Sequence, residues 1–213
     1  MQTMKSKIIL CLALILSGNS NAAIVYPKAP DGGRQLVYEN AGQILRHDPR
    51  FFGGLQIDDL TIANPCRNYF VGATNLASGQ LLSAAKTINW QYLLVHGTNA
   101  VGAACLIIDE TNGKALKFNG LNRPFFPDAP LDALRTAEQL PQVKKQDYEL
   151  RILEASAVYF RAVWLHGESD DIIIPLPETF RRWNAYQPYS ESQMIKLLKP
   201  EAKKVLKAPR NFY

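Results

Sequence analysis

The chain has 213 residues, 47% of them hydrophobic, and its 24 Lys and Arg against 19 Asp and Glu give a net charge of +5. This length suffices for one domain with a sizeable core or for two small domains. The charge is too small to indicate a nucleic-acid-binding protein.

Residues 1–22 have the pattern of a cleaved export signal. Lys5 and Lys7 precede an apolar run, Ile8–Leu16, and a small polar stretch that ends at Ala22. The apolar run has nine residues, whereas a helix that spans a bilayer needs about 20. We therefore predict cleavage near Ala22 and export from a bacterium, to the periplasm or the medium, with no membrane span. Cleavage lowers the net charge from +5 to +3, because it removes two Lys and no acid.

Two cysteines follow this segment, Cys66 and Cys105. An exported chain enters an oxidising compartment, where two cysteines most often form a disulfide. We predict that bond; the alternative is two buried thiols. A catalytic cysteine is disfavoured, because only His96 stands near enough in sequence to lower a thiol pKa.

The N-terminal part of the mature chain, 23–66, predicts irregular structure. Pro49 and Gly53-Gly54 interrupt any helix longer than a short one near Glu39–Leu45.

An α+β core is predicted for 67–189, built on an antiparallel sheet with packed helices. It begins with a strand at 68–74, a helix over 78–86 with Ser78 as N-cap, and a strand at 90–96.

A hairpin is predicted next. Asn112-Gly113 separates two apolar runs, 100–109 and 114–119. This dipeptide favours a type I′ turn, which needs positive φ at both positions. A helix over Leu131–Leu140 follows, with Asp128 placed to cap it and Pro141 to end it.

The stretch 147–176 predicts three strands, at 147–154, 157–166 and 171–176. Apolar residues alternate along the second of them: Val158, Phe160, Ala162 and Trp164. A helix over 147–166 is the competing interpretation, because Leu150, Leu153, Ala157, Phe160 and Val163 also match helical spacing.

A basic helix is predicted for the C-terminal segment, 190–213. Ser190 and Gln193 form a capping-box pattern at its start. The stretches 78–119 and 131–176 share the order of one helix and three strands, which suggests two duplicated α-β-β-β units.

Catalytic patterns are weak in this sequence. No Gly-x-Ser-x-Gly motif is present, and the candidates for a base and its orienting acid are His96, His166 and Asp109, with Asp170 a further acid. The three histidines lack metal-ligand spacing, so we predict no metal and no cofactor.

Two surface features are candidate binding elements. Phe125 and Phe126 lie between prolines in a loop, and apolar loop tips can mark recognition surfaces. Lys203, Lys204 and Lys207 form part of a basic face suited to an acidic partner.

We therefore expect an exported, soluble protein of the bacterial envelope that binds a protein partner without enzymatic activity. Its role would be that of an inhibitor, an immunity protein or an accessory factor. The alternative is a secreted or periplasmic hydrolase whose site uses His96, His166 or both.

Overall fold

The computed structural model describes residues 23–109, 111–124, 126–177 and 183–208. The predicted signal segment, 1–22, lies outside them. The described residues form four α-helices and nine strands: α1 Gly33–His47, α2 Ala73–Ser78, α3 Ala129–Glu138, α4 Glu191–Lys207; β1 Ile24–Val25, β2 Thr61–Ile62, β3 Cys66–Phe70, β4 Lys86–His96, β5 Asn99–Ile108, β6 Ala115–Asn122, β7 Tyr148–Ala155, β8 Phe160–Gly167 and β9 Asp171–Pro175.

All nine strands belong to one sheet, with the main order β6-β5-β4-β3-β7-β8-β9. The α+β class is thus present, but the sheet is mixed and the prediction of an antiparallel sheet was incomplete. Strand β7 runs parallel to β3 and to β1, while the other pairs are antiparallel. Two antiparallel meanders, β4–β6 and β7–β9, therefore flank β3.

Helices cover both faces of this sheet. Helices α1, α2 and α4 pack on one face, which we call the front face, and α3 packs on the opposite, back face. No helix in the described ranges is long and apolar enough to cross a bilayer.

The strands predicted at 147–176 are confirmed, and the helical interpretation of 147–166 is wrong. Strand β8 places Trp164 on the front face and Val163 and Leu165 on the back face. Both rows of β8 are buried because α4 and α3 cover its two faces. This double coverage explains why its sequence also fitted a helix.

Two predicted helices differ from the observed ones. The segment 23–66 contains the 15-residue α1 and is not mainly irregular. The helix predicted for 78–86 is wrong, because Ser78 is the last residue of α2 and not an N-cap. Gly79, at φ 93°, adopts the left-handed conformation that ends α2.

The hairpin of β5 and β6 is confirmed, but its turn is not type I′. Gly113 has φ 72°, while Asn112 keeps a negative φ. The carboxylate of Asp109 holds the turn instead, accepting hydrogen bonds from the backbone N–H of Thr111 (2.9 Å) and from Asn112 Nδ2 (2.8 Å).

Helices α3 and α4 also confirm their predicted positions, but the side chain of Asp128 does not cap α3. Its Oδ1 accepts a hydrogen bond from the backbone N–H of Ala100 (2.5 Å) instead. The side chain of Ser190 accepts from the backbone N–H of Gln193, and Gln193 bonds the backbone of Ser190, so the capping box is present. The duplication of 78–119 and 131–176 stays a prediction.

Replacing Trp164 by Ala should lower the free energy of unfolding by about 3–5 kcal/mol, because a large core side chain is lost. Trp164 is 4% exposed, packs edge-on against Tyr69 and donates a hydrogen bond from Nε1 to Asp171 (2.7 Å). Urea denaturation measures the change. Phe126→Ala is the exposed control and should cost about 0.5 kcal/mol or less. A loss below about 1 kcal/mol for Trp164→Ala would contradict this role.

Candidate binding cleft

Only part of the back face is apolar. Helix α3 covers it over β7–β9, but over β3–β6 no described helix covers it, and polar side chains take the place of apolar ones. These side chains surround a cavity of about 440 Å³, which we call the polar cleft. It is lined by Asn68, Asn89, Gln91, Ala103, Cys105, Asn122, Arg123, Pro124, Glu154 and Arg161.

Strand register brings these residues together. Asn68 lies opposite Asn89, and Gln91 lies opposite Cys105. Residues directly opposite each other point to the same face of a sheet. The pairing of Glu154 with Arg161 across β7 and β8 closes one end of the cleft.

Hydrogen bonds fix the closed end. Arg161 Nη2 donates to Gln91 Oε1 (2.7 Å), and Arg161 Nε lies 3.1 Å from Glu154 Oε1. Asn68 Nδ2 also donates to Glu154 Oε1 (3.1 Å). Glu154, the one acidic residue in the described lining of the cleft, is thus paired with a cation, and Gln91 and Asn68 are held in place around that pair.

Two buried amide oxygens have no partner in the described part of the chain. They are Oδ1 of Asn68 and Oδ1 of Asn89. Asn68 is only 3% exposed, so its position is fixed within the sheet. A buried acceptor without a hydrogen bond costs about 1–3 kcal/mol. Such groups are rare in folded proteins and mark places where something else supplies the donor.

An exposed aromatic residue lies close in sequence to the lining residues at each end of the cleft. Tyr159, in the β7–β8 turn just before Arg161, is 68% exposed, and its φ of 52° is left-handed. Phe126 is 47% exposed and follows the cleft residues Arg123 and Pro124. Five strand spacings separate β8 from β6, which corresponds to about 24 Å.

The predicted disulfide is absent, and both cysteines are free and buried. Cys66 on β3 and Cys105 on β5 each pair with Gln91 on β4, which lies between them. Two strand spacings therefore separate the two cysteines, and their Cα atoms are about 10 Å apart. A disulfide needs about 4.4–6.8 Å. Burial raises the pKa of Cys66 to about 12 and also raises the pKa of Cys105. Both thiols therefore stay protonated at neutral pH, and neither is an activated nucleophile.

The structure does not assemble the predicted catalytic residues. His96 is exposed at the end of β4. His166 is on β8, three strands away, at least about 14 Å from it. Asp109 holds the β5–β6 turn, as described, and the hydrogen bonds from Thr111 lower its pKa. Asp170 accepts a hydrogen bond from the Tyr148 hydroxyl (2.5 Å).

His166 does have an orienting acid. Its Nδ1 lies 2.8 Å from Asp171 Oδ1, and its ring packs edge-on against Trp164. No Ser, Thr or Cys of the described ranges forms a hydrogen bond with His166.

The two predicted binding elements lie on opposite faces. Phe126 follows the cleft residues Arg123 and Pro124 in the chain and precedes α3, which packs on the back face, and Phe125 lies outside the described residues. Lys203, Lys204 and Lys207 are exposed on α4, which packs on the front face, and Lys204 pairs with Glu201 (2.9 Å). The basic segment is therefore not part of the cleft.

Sequence reasoning missed the cleft itself. Its signal was present: Asn68, Asn89 and Gln91 are amides within predicted strands or directly beside one, where apolar residues would be expected on a face that a helix covers. The convergence of these amides, however, depends on pairing between strands distant in sequence. The chain matches no protein-family model, and no curated protein or solved structure matches it. Function is therefore inferred from the cleft.

Alkylation with iodoacetamide should find both Cys66 and Cys105 free in protein prepared without reductant. In the native state both should react slowly at pH 8, because their raised pKa values leave little thiolate. In denaturant both should react fully, as seen by peptide mass spectrometry. A Cys66–Cys105 cross-linked peptide would contradict the observed register.

Proposed function

We propose that this chain is an exported protein of the bacterial envelope that binds a protein partner through the polar cleft and its two flanking aromatic residues. The role is that of an inhibitor, an immunity protein or an accessory factor. Export rests on the pattern of residues 1–22. Binding at the cleft rests on the two unpartnered amide oxygens of Asn68 and Asn89.

The flanking aromatic residues support a macromolecular partner. Binding energy at protein interfaces concentrates in a few residues, among which Tyr and Trp are enriched. Tyr159 and Phe126 extend the surface beyond the cavity, so that a partner contacting both would cover the whole cleft. A free small molecule would not need them.

A hydrolase using His166 is the second candidate. The observation in its favour is the 2.8 Å contact between His166 Nδ1 and Asp171. Asp171 Oδ1 also accepts a hydrogen bond from the indole N–H of Trp164 (2.7 Å), which gives Asp171 a structural role in the sheet. His166→Ala tests it: loss of a hydrolytic activity of the purified protein, with partner binding unchanged, would favour the hydrolase.

Affinity purification from periplasmic extract, with matched variants, tests the binding role. Wild-type protein should retain a stoichiometric partner. Phe126→Ala and Tyr159→Asn should each weaken its binding about tenfold or more, as expected for aromatic anchors. Asn is chosen because it tolerates the left-handed backbone of Tyr159.

Leu206→Ala is the matched control, since Leu206 is 47% exposed, like Phe126, but lies on α4. It should leave the affinity unchanged. If all variants retained the partner equally, or if no partner were found, the proposal would fail.

Asn89→Val should keep or slightly raise the free energy of unfolding, by up to about 1 kcal/mol, because it removes a buried acceptor without a partner. The same change should weaken partner binding. Asn112→Val is the contrasting control. It should cost about 1 kcal/mol, since Asn112 bonds both Asp109 and the backbone of Lys114. Thermal unfolding measures both. A marked loss of stability in Asn89→Val would mean that the amide stabilises the fold.

A further inference from the structure

We propose that the polar cleft binds an extended segment of its partner by the main chain, through a set of side-chain amides. This inference rests on the proposed function and specifies how the cleft recognises its ligand.

The hydrogen-bonding groups of the cleft match those of a peptide bond. Each peptide unit presents one N–H donor and one carbonyl acceptor. Each Asn or Gln side chain presents both an acceptor oxygen and an NH2 donor. Four such amides line the cleft, on three different strands: Asn68, Asn89, Gln91 and Asn122.

Several of these groups are available for a ligand. Oδ1 of Asn68 and of Asn89 require donors, which peptide N–H groups supply. Nδ2 of Asn89 and Nε2 of Gln91 donate to no described residue, which leaves them for peptide carbonyls. Gln91 is 2% exposed and its Oε1 is held by Arg161, so its NH2 group is preoriented.

Charge and shape argue against cationic and sugar ligands. Glu154 is already paired with Arg161, so this end of the cleft offers no uncompensated charge for a cationic side chain or a metal ion. The described lining includes no aromatic ring on which a sugar could stack.

The floor of the cleft is formed by small residues and extends across several strands. Ala103 and Cys105 are small, and Gly120 lies opposite Cys105, so a backbone can approach the sheet closely. A path of about 24 Å from β8 to β6 matches about seven extended residues. The segment would cross the strands and would not add to a sheet edge.

Capped tetraglycine and capped tetrasarcosine are matched probes for this test. Sarcosine keeps the peptide carbonyl but replaces the N–H by N-methyl. The probes are titrated into the uniformly ¹⁵N-labelled protein, and the side-chain NH2 signals of the four cleft amides are followed. Signals of Gln35 and Asn112, which are exposed and bonded locally, serve as internal references.

Tetraglycine should shift the cleft signals saturably and leave the references unchanged. Tetrasarcosine should bind at least about fivefold more weakly, and Asn89→Val should weaken tetraglycine binding by a similar factor. Glycerol and methylguanidinium, which represent polyols and cationic side chains, should not saturate the cleft.

The inference is overturned if tetrasarcosine binds as well as tetraglycine, if the cleft signals do not saturate, or if glycerol or methylguanidinium saturates them instead. This outcome is separate from failure of the proposed function. A partner that binds in the Phe126-dependent manner, with a cleft insensitive to tetraglycine, would remove this inference and keep the binding role. Tetraglycine binding without any periplasmic partner would remove the proposed function and keep this inference about the cleft.

Discussion

The parallel pairing of β3 with β7 holds the two halves of this sheet together. Each half is an antiparallel meander whose strands are neighbours in sequence, and β3 joins them at the centre. On the front face, Arg67 lies over Trp90 (5.3 Å) and Arg151 over Trp164 (4.6 Å), in one row across this joint. The planar guanidinium groups of these two arginines lie over the faces of the two indole rings and so form part of the packed layer on this face of the sheet. The N–H groups at the edge of each guanidinium can still donate hydrogen bonds.

The same pairing creates the cleft on the back face. It places Asn68 of the cleft beside Ile152 of the apolar cluster under α3. The boundary between the apolar and the polar part of the back face therefore lies between β7 and β3. A sheet optimised for stability alone would continue the apolar layer. Here buried amide oxygens lack partners, as do the Trp90 indole N–H and the Tyr92 hydroxyl of the front face in the described part of the chain. The cleft differs from the front face in that two such groups line the same cavity, and departures of that kind concentrate at functional sites. The proposed role in recognition rests on that coincidence.

Local patterns were sufficient for the meanders and for two helices. Alternation predicted β7–β9, the Asn-Gly turn located the β5–β6 hairpin, and caps or prolines located α3 and α4. Long-range pairing was not predictable in this way. The parallel contact of β3 with β7 and the convergence of Asn68, Gln91 and Asn122 join segments distant in sequence. Ser78 misled because a residue suited to an N-cap stands at the end of α2, where Gly79 was the stronger signal.

Register also explains how a chain that begins with the pattern of an export signal can keep two free thiols. Gln91 lies between Cys66 and Cys105, so a direct disulfide would require the central strands to shift by several ångströms. Exchange with other disulfides requires a thiolate, and burial holds both thiols in the protonated form. The two cysteines are therefore protected by the sheet that contains them. Cys105 lines the cleft with a small, uncharged side chain, and a larger side chain at this position would occupy part of the cavity.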